Sequence, residues 1–279
     1  RDRLRSRGLG DVYKRQKCLR AKHLTNRQYG TDRKRQIRKE KMKSALIGST
    51  GFVGSTLLSQ REFDFCYHST DIADIDNKEF DLVICAAAPA KKWYANLHPN
   101  DDRACIDSLI DHLKTVRAKK FILISTVDVF KSPVNVDENS TIILDDLNPY
   151  GYNRRRLELF VEKYFSSNLI VRLPGLVGSG LKKNIIYDFK NHNEIEKIES
   201  DNVFQFYPMK NLLKDINKAD ELGLDLVHLT ACPVSVKEVA KFAFDLDFNN
   251  HTGKPLISYD FKTVYGTLFG KIRDYQYDK

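Results

Sequence analysis

The chain has 279 residues, 42% of them hydrophobic, which suffices for one large domain or for a domain with a small extra lobe. Its longest apolar run, near Val83–Ala88, is far shorter than the ~20 residues of a membrane-spanning helix; with no apolar stretch of signal-peptide type, this predicts a cytoplasmic protein without a membrane partner. The formal charge of +9 would suit a polyanionic partner, but residues 1–41 hold 16 Lys/Arg against 4 Asp/Glu, leaving 30 basic and 33 acidic residues in the remainder.

The basic excess therefore belongs to one segment with no sustained apolar periodicity. A basic arm for nucleic acid is one reading of it. Residues 1–41 are expected to be a disordered or non-native extension, with no nucleic-acid partner. From Met42 onward, short apolar runs alternate with amphipathic stretches, as βαβ units do. "KSALIGS" predicts a first strand, followed by a glycine-rich turn and a helix through Leu58. "DFCYHST" predicts a second strand, and "FDLVICAAAP" a strand buried on both faces. "DDRACIDSLIDHLKTV" sets Ile106, Leu109, Ile110 and Leu113 at helical spacing. "KKFILISTVDVF" is the next strand, and "YGYNRRRLELFVEKYF" the next helix, with Leu157, Phe160, Val161 and Tyr164 as its inner stripe. "NLIVRLPGLVG" closes this half, read as a domain over 42–180.

Beyond Gly178 the rhythm loosens. Helices are expected in "KNIIYDFKN" and "MKNLLKDINKADEL", a short strand in "LVHLT", and a helix from Ser235, where Ser235 and Glu238 form a capping box. Residues 181–279 are read as a small lobe, from which one strand or helix can return to the main sheet. The final segment shows no clear stop and is expected to be truncated. The five cysteines form no CxxC pair and the seven histidines no HExxH, so no metal centre is expected.

"ALIGSTGFVGSTLL" places Gly48, Gly51 and Gly54 directly after a strand and at a helix start. Glycines there let the backbone approach a pyrophosphate, whose charge the helix N-terminus favours, so a dinucleotide is the expected ligand. "HSTD" ends the second strand. Asp71 there would bond the ribose hydroxyls of NAD, while His68, Ser69 and Thr70 would tolerate the 2′-phosphate of NADP; Asp71 can equally cap the short helix that follows. NAD and NADP both stay open.

Thr126 ends the strand "FILISTVDVF", and Tyr150 opens a helix 24 residues later. In a doubly wound sheet both lie at the carboxyl edge, beside a dinucleotide at the first turn. A phenol near a cation, with a hydroxyl on the same substrate oxygen, is a proton-transfer device, and Arg154 stands one helical turn beyond the tyrosine.

At this point the sequence resembles the extended short-chain dehydrogenase/reductase family, over Met42 to about Phe244. "GSTGFVG" is similar to its glycine turn and "STVDVF" to its strand-end motif in the nucleotide-sugar reductases. "PYGYNRRRLE" is similar to its Tyr-x-x-x-Lys helix, "VRLPGLVG" to its proline-glycine turn, and "LVHLTACPVSVKEVAKF" to its late strand and helix. The resemblance implies an α/β, Rossmann-type doubly wound parallel sheet with a small C-terminal substrate lobe. It implies cofactor contacts from Gly48, Thr50, Gly51, Phe52, Val53, Gly54, Ser69, Asp71, Ala86, Ala87, Ser125, Tyr150, Arg154 and Pro174. It further implies Thr126, Tyr150 and Arg154 as catalytic residues, and a homodimer paired through two helices. The alternative alignment, Tyr152 with Arg156, is set aside because Tyr150 lies between proline and glycine as in the family.

Two departures stand out. Arg154 replaces the family's lysine, keeping the charge but never deprotonating, and Cys85 stands where such enzymes usually show asparagine. Arg155 and Arg156 are expected to face solvent, with Glu158 and Glu162 as helical partners. Lys182 and Lys183 suit a nucleotide diphosphate or a plain surface. Asn184 suits a sugar or a helix cap, and Gln205, Tyr207 and Lys210 suit substrate or core. Lys92 and Trp93 lie where a substrate-covering loop would be. The expected function is an NAD(P)-dependent oxidoreductase, epimerase or dehydratase acting on a sugar, nucleotide-linked, with a Tyr general acid/base. A catalytically weakened dinucleotide-binding redox or scaffold protein is the alternative.

Overall fold

A computed structural model of the chain describes residues 42–270 and 274–279, so the expectation for residues 1–41 lies outside the described residues. The strands, in chain order, are β1 (Ser44–Ile47), β2 (Phe65–Tyr67), β3 (Glu79–Cys85), β4 (Arg117–Thr126), β5 (Val134–Val136) and β6 (Asn168–Leu173). They continue with β7 (Gly175–Val177), β8 (Val203–Phe204), β9 (Phe206–Pro208), β10 (Leu226–His228), β11 (Val234–Ser235) and β12 (Asp260–Phe261). The α-helices are α1 (Phe52–Gln60), α2 (Lys92–Leu97), α3 (Pro99–Leu113), α4 (Pro149–Tyr164), α5 (Ile185–Asn191), α6 (Leu212–Glu221) and α7 (Val236–Phe244).

Six strands form one parallel sheet in the order β2-β1-β3-β4-β6-β10. Successive side chains of a strand point to opposite faces, and both faces are apolar. On one side Ala45, Ile47, Val83, Phe121 and Leu123 pack with Ile106, Leu109, Ile110 and Leu113 of α3 and Leu157 and Val161 of α4. On the other, Leu46, Ile84, Ile122, Leu169 and Val171 pack with Leu57 of α1 and Leu212, Ile216 and Ala219 of α6. Each fully buried aliphatic side chain contributes about 1.5–3 kcal/mol, so the doubly covered sheet is the main source of stability. The sheet is α/β and doubly wound, as expected.

The chain leaves β1 outward to β2 and then crosses back to β3 on the far side of β1. Strand order reverses there, and the carboxyl ends of β1 and β3 flank the crevice in which such sheets bind ligands. After β9, α6 and β10 return to the body of the sheet, with β10 as the edge strand beside β6. A separate small core of Phe189, Val236 and Ala240 joins α5 and α7, beside the antiparallel pair β8–β11.

Local chemistry sets the helix starts. Asn148 caps α4 by accepting from the Gly151 amide at 2.9 Å, with Pro149 at the first helical position, where its missing N–H costs nothing. The Ser235–Glu238 capping box is present at α7. The expected inner stripe of α4 needs one correction. Tyr164 is 45% exposed, because it stands in the last turn and reaches sideways to the Lys114 carbonyl.

Candidate active site

Gly48 has φ +86°, and a Cβ on it would lie 2.5 Å from the Ala86 carbonyl oxygen. Only glycine permits that close approach of the turn to the end of β3. The Gly48 and Ser49 amides both donate to the Tyr67 carbonyl, at 2.8 and 3.2 Å, which ties the turn to β2 as well. Gly54 packs the helix onto the turn, since a Cβ there would come within 2.1 Å of the Gly48 carbonyl oxygen. Gly51 differs. It is exposed, it heads α1 without a side-chain cap, and a Cβ on it would meet only the Gly48 oxygen at 3.4 Å.

The start of α1 therefore has no side-chain cap, and the Gly51 that heads it is exposed. A pyrophosphate fits that position, because it supplies acceptors and negative charge at a helix N-terminus. Thr50 is exposed beside it, while Phe52 and Val53 are half-buried and pack into the core below. Ala86 and Ala87 line the opposing strand end. At the end of β2, Asp71 does not cap the short helix after it. Its carboxylate accepts from the His68 amide at 2.6 Å and meets the His68 ring at 3.1 Å. Ser69 is exposed next to this pair, and Pro174 is buried after β6.

At the carboxyl end of β4, Thr126 and Ser125 point to different partners. The Thr126 hydroxyl lies 3.4 Å from Asp128 Oδ2 and accepts from the Asp128 amide at 3.2 Å. The Ser125 hydroxyl donates instead to Glu158 of α4 at 2.5 Å. Glu158 is buried and also accepts from Arg172 Nε and Nη2, at 3.0 and 2.7 Å. Arg172 in turn meets His228 Nε2 at 3.2 Å. Two expectations for α4 are thereby corrected. Arg155 bonds Glu158 and Glu162 as expected but is half-buried, and Arg156 bonds Asp107 of α3 at 2.6 Å rather than facing solvent. The chain Ser125–Glu158–Arg172–His228, buried beyond the half-buried serine, joins residues up to 103 positions apart, so a single sequence shows Glu158 only as a helical partner of Arg155.

Tyr150 opens α4 and is buried, with its amide held by Asn96 of α2 at 3.1 Å. Among the described residues, its hydroxyl makes no hydrogen bond. Burial lifts this phenol above its usual range; Arg154 and Lys92 oppose that shift, and Asp128 and Asp102 add to it. The Arg154 guanidinium lies over the Tyr150 ring, its Cζ 3.9 Å from the centroid. Arg154 is 2% exposed, with Nη1 on Asp102 of α3 and Nη2 on the Pro89 carbonyl, while Nε finds no partner among the described residues. Asp102 also accepts from Asn153 at 2.8 Å. The arginine is thus built into the seam between α3 and α4.

Asp128 joins this group although it was not among the expected site residues. Its Oδ1 receives Lys92 at 2.7 Å and the Tyr259 hydroxyl at 3.4 Å, and its backbone carbonyl abuts Gly151, where a Cβ would sit 2.2 Å away. Burial disfavours the Lys92 ammonium, but Asp128 and Tyr259 outweigh it and hold the pKa above its usual range. Lys183 donates to the Ala90 carbonyl at 2.5 Å; burial pushes its pKa down, and Asp128 partly offsets this. The signal was in "STVDVF", an acid two residues beyond the strand-end hydroxyl.

Three residues left open between substrate contact and a structural role take the structural one. Asn184 caps α5, accepting from the Ile186 and Tyr187 amides. Gln205 is buried and clasps Thr230, Ala231 and Phe261, and Tyr207 is fully buried with its hydroxyl on Asp215 at 2.6 Å. Their polar atoms meet the protein's own groups. Lys182 stays exposed. Glu199, Asp201 and His251 bring ligand-type atoms within 4.8 Å of one another, but the two carboxylates already serve Thr252 and Lys237. Among the described residues, no helix is long and apolar enough to cross a membrane.

The sequence matches no protein-family model and no curated protein. Solved structures do match. A dTDP-4-dehydrorhamnose reductase from Bacillus anthracis, in complex with NADP, superposes with a TM-score of 0.66 at 20% identity, over 84% of this chain and 94% of that one. An NAD-dependent NDP-hexosamine 5,6-dehydratase of tunicamycin biosynthesis gives 0.64 at 15% identity, over 83% and 91%. A UDP-glucose 4-epimerase from Thermotoga maritima, with UDP-glucose, gives 0.59 at 14% identity, over 81% and 91%. The chain has the Rossmann-type fold of the extended short-chain dehydrogenase/reductases, the family that its glycine turn, strand-end motif and tyrosine helix resemble.

Proposed function

We propose that this protein is an NAD(P)-dependent oxidoreductase, epimerase or dehydratase acting on a nucleotide-linked sugar. The observation that carries the reading is the meeting of two elements at the carboxyl edge of the sheet. The end of β4 brings Thr126 and Asp128 to the first turn of α4, where Tyr150 is held by Asn96. The uncapped start of α1 supplies the pyrophosphate site on the same edge. The nicotinamide, when bound, supplies or accepts the hydride. Tyr150 exchanges a proton with the sugar oxygen, and the Thr126 hydroxyl orients that oxygen. The Arg154 charge under the ring favours the phenolate, offset by its Asp102 partner. In this reading Asp71 and Ser69 would meet the adenosine ribose, and Lys182 and Lys183 a nucleotide diphosphate.

The test is titration of the chain with NADH and NADPH, followed by quenching of Trp93, the single tryptophan. Turnover of dTDP-4-dehydrorhamnose and UDP-glucose comes next. Tyr150→Phe should lose about 10²–10⁴-fold in turnover with cofactor affinity kept. A second reading, a dinucleotide-binding protein of weakened catalysis, is favoured by one observation: the buried arginine in the lysine's place cannot exchange a proton. Cofactor binding with no turnover of any nucleotide sugar would select it.

A further inference from the structure

Arg154 occupies the family's lysine position without that residue's freedom. Both its terminal nitrogens are engaged by Asp102 and the Pro89 carbonyl, and a guanidinium does not release a proton near neutral pH. A different cation stands on the other side of the site. Lys92, at the start of α2, is 42% exposed and reaches Asp128, which is 17% exposed, at 2.7 Å. The second oxygen of Asp128 meets the Thr126 hydroxyl at 3.4 Å. Water, ammonium, carboxylate and hydroxyl therefore follow one another from the solvent to the carboxyl end of β4.

We propose that Lys92 is the proton-exchanging cation of this site, connected through the Asp128 carboxylate to Thr126. The proposal rests on the reading of Tyr150 and Thr126 given above. In the reducing direction the Tyr150 phenol gives its proton to the sugar oxygen. The sugar hydroxyl, which both side chains contact in that reading, returns a proton to the phenolate as it takes one from Thr126; Thr126 takes one from Asp128, which takes one from the Lys92 ammonium. A buffer acid then reprotonates the Lys92 amine, so one proton enters from solvent for each proton placed on product. In the oxidising direction every transfer reverses. Lys92 touches no substrate in this scheme and acts through Asp128. The groups facing Asp128 are Lys92 from α2, Tyr259 from the segment before β12, Thr126 from β4, Tyr150 from α4 and Lys183 from the loop before α5. Tyr259 shares the oxygen that Lys92 uses, which holds that oxygen toward the ammonium.

The deciding measurement is a pH titration of the Tyr150 phenol in the cofactor-free chain, by carbon-13 NMR of labelled tyrosine assigned with Tyr150→Phe. Asp128→Asn removes a negative charge while leaving the ammonium, so the midpoint should fall by about 1 pH unit. Adding Lys92→Met should bring it back up by a similar amount. A midpoint on the Asp128→Asn background that ignores Lys92→Met overturns the proposal. Lys92→Arg separates charge from proton exchange. It should keep the midpoint but lose about 10²-fold in nucleotide-sugar turnover, and Lys92→Ala should regain activity with added methylammonium. A Lys92→Arg protein as active as the wild type also overturns it. Should the wild type turn over no nucleotide sugar, the functional reading falls and the proton route falls with it, whereas a Lys92→Arg protein as active as the wild type overturns the proton route alone.

Discussion

Glu158 and Arg172 form a buried ion pair between α4 and β6, with Nη2–Oε2 at 2.7 Å and Nε–Oε1 at 3.0 Å. The pair joins the helix that carries Tyr150 to the sheet, and Ser125 hangs from the same carboxylate. Glu158→Ala leaves a buried guanidinium without its partner, so it should cost about 3–5 kcal/mol of stability. Arg155→Ala removes only the half-buried outer partner and should cost about 1 kcal/mol or less. Urea unfolding midpoints of the two variants check the contrast, and equal losses would refute it.

Gly51→Asp separates cofactor binding from folding. The substitution places a carboxylate at the uncapped start of α1, where it can accept from first-turn amides, so stability should hold or rise by a few tenths of a kcal/mol. The same carboxylate repels a pyrophosphate at that position. NADH and NADPH affinity should fall by about 10²-fold or more, corresponding to roughly 3 kcal/mol. Trp93 quenching together with thermal denaturation reads both effects; weak binding with lowered stability would mean that the turn itself had collapsed.

Gly151→Ala tests the contact between α4 and the β4 end. Its new Cβ would meet the Asp128 carbonyl oxygen at 2.2 Å, and backbone cannot yield as a side chain can. Overpacking of this kind costs about 1–3 kcal/mol. The displaced helix start should also lower turnover more than it lowers cofactor affinity. Unchanged turnover in a stable Gly151→Ala protein would remove Asp128 and Tyr150 from a shared site.

His228 gives the fold a pH dependence whose sign follows from burial. It is fully buried behind Arg172, and burial, reinforced by that cation, pushes its pKa down to about 3 from an ordinary 6.5. The unfolded chain therefore binds a proton that the folded one does not, and stability is lost as pH falls below 6.5. The slope approaches about 1.4 kcal/mol per pH unit. Between about pH 6.5 and 5 most carboxylates stay ionised, so His228→Asn should flatten the curve in that window. Urea midpoints at half-unit pH steps measure it, and a variant curve as steep as the wild type's would assign the loss elsewhere.

Much of this molecule is local and hence readable from the chain. The Gly48, Gly51 and Gly54 spacing, the Asn148–Pro149 start of α4 and the Ser235–Glu238 box each depend on neighbours a few residues away. So does the both-faces-apolar character of β3, since hydrophobic periodicity reports directly which faces are buried. The sheet's central strands and the identity of Tyr150 and Thr126 as edge residues follow from these signals.

Only the tertiary structure decided which polar side chains remain available. Gln205, Tyr207 and Asn184 have the chemistry of sugar contacts, yet partners 25 to 56 residues away, a buried Asp215 and a helix cap take up their polar atoms. The same holds for Arg154, fixed by Asp102 from 52 residues away, and for the meeting of Lys92 with Asp128 across 36 residues. A sequence lists donors, acceptors and charges along a line. Burial makes each one seek a partner, and the choice of partner is made by long-range packing, which fixes whether a charge serves the fold or is left for chemistry.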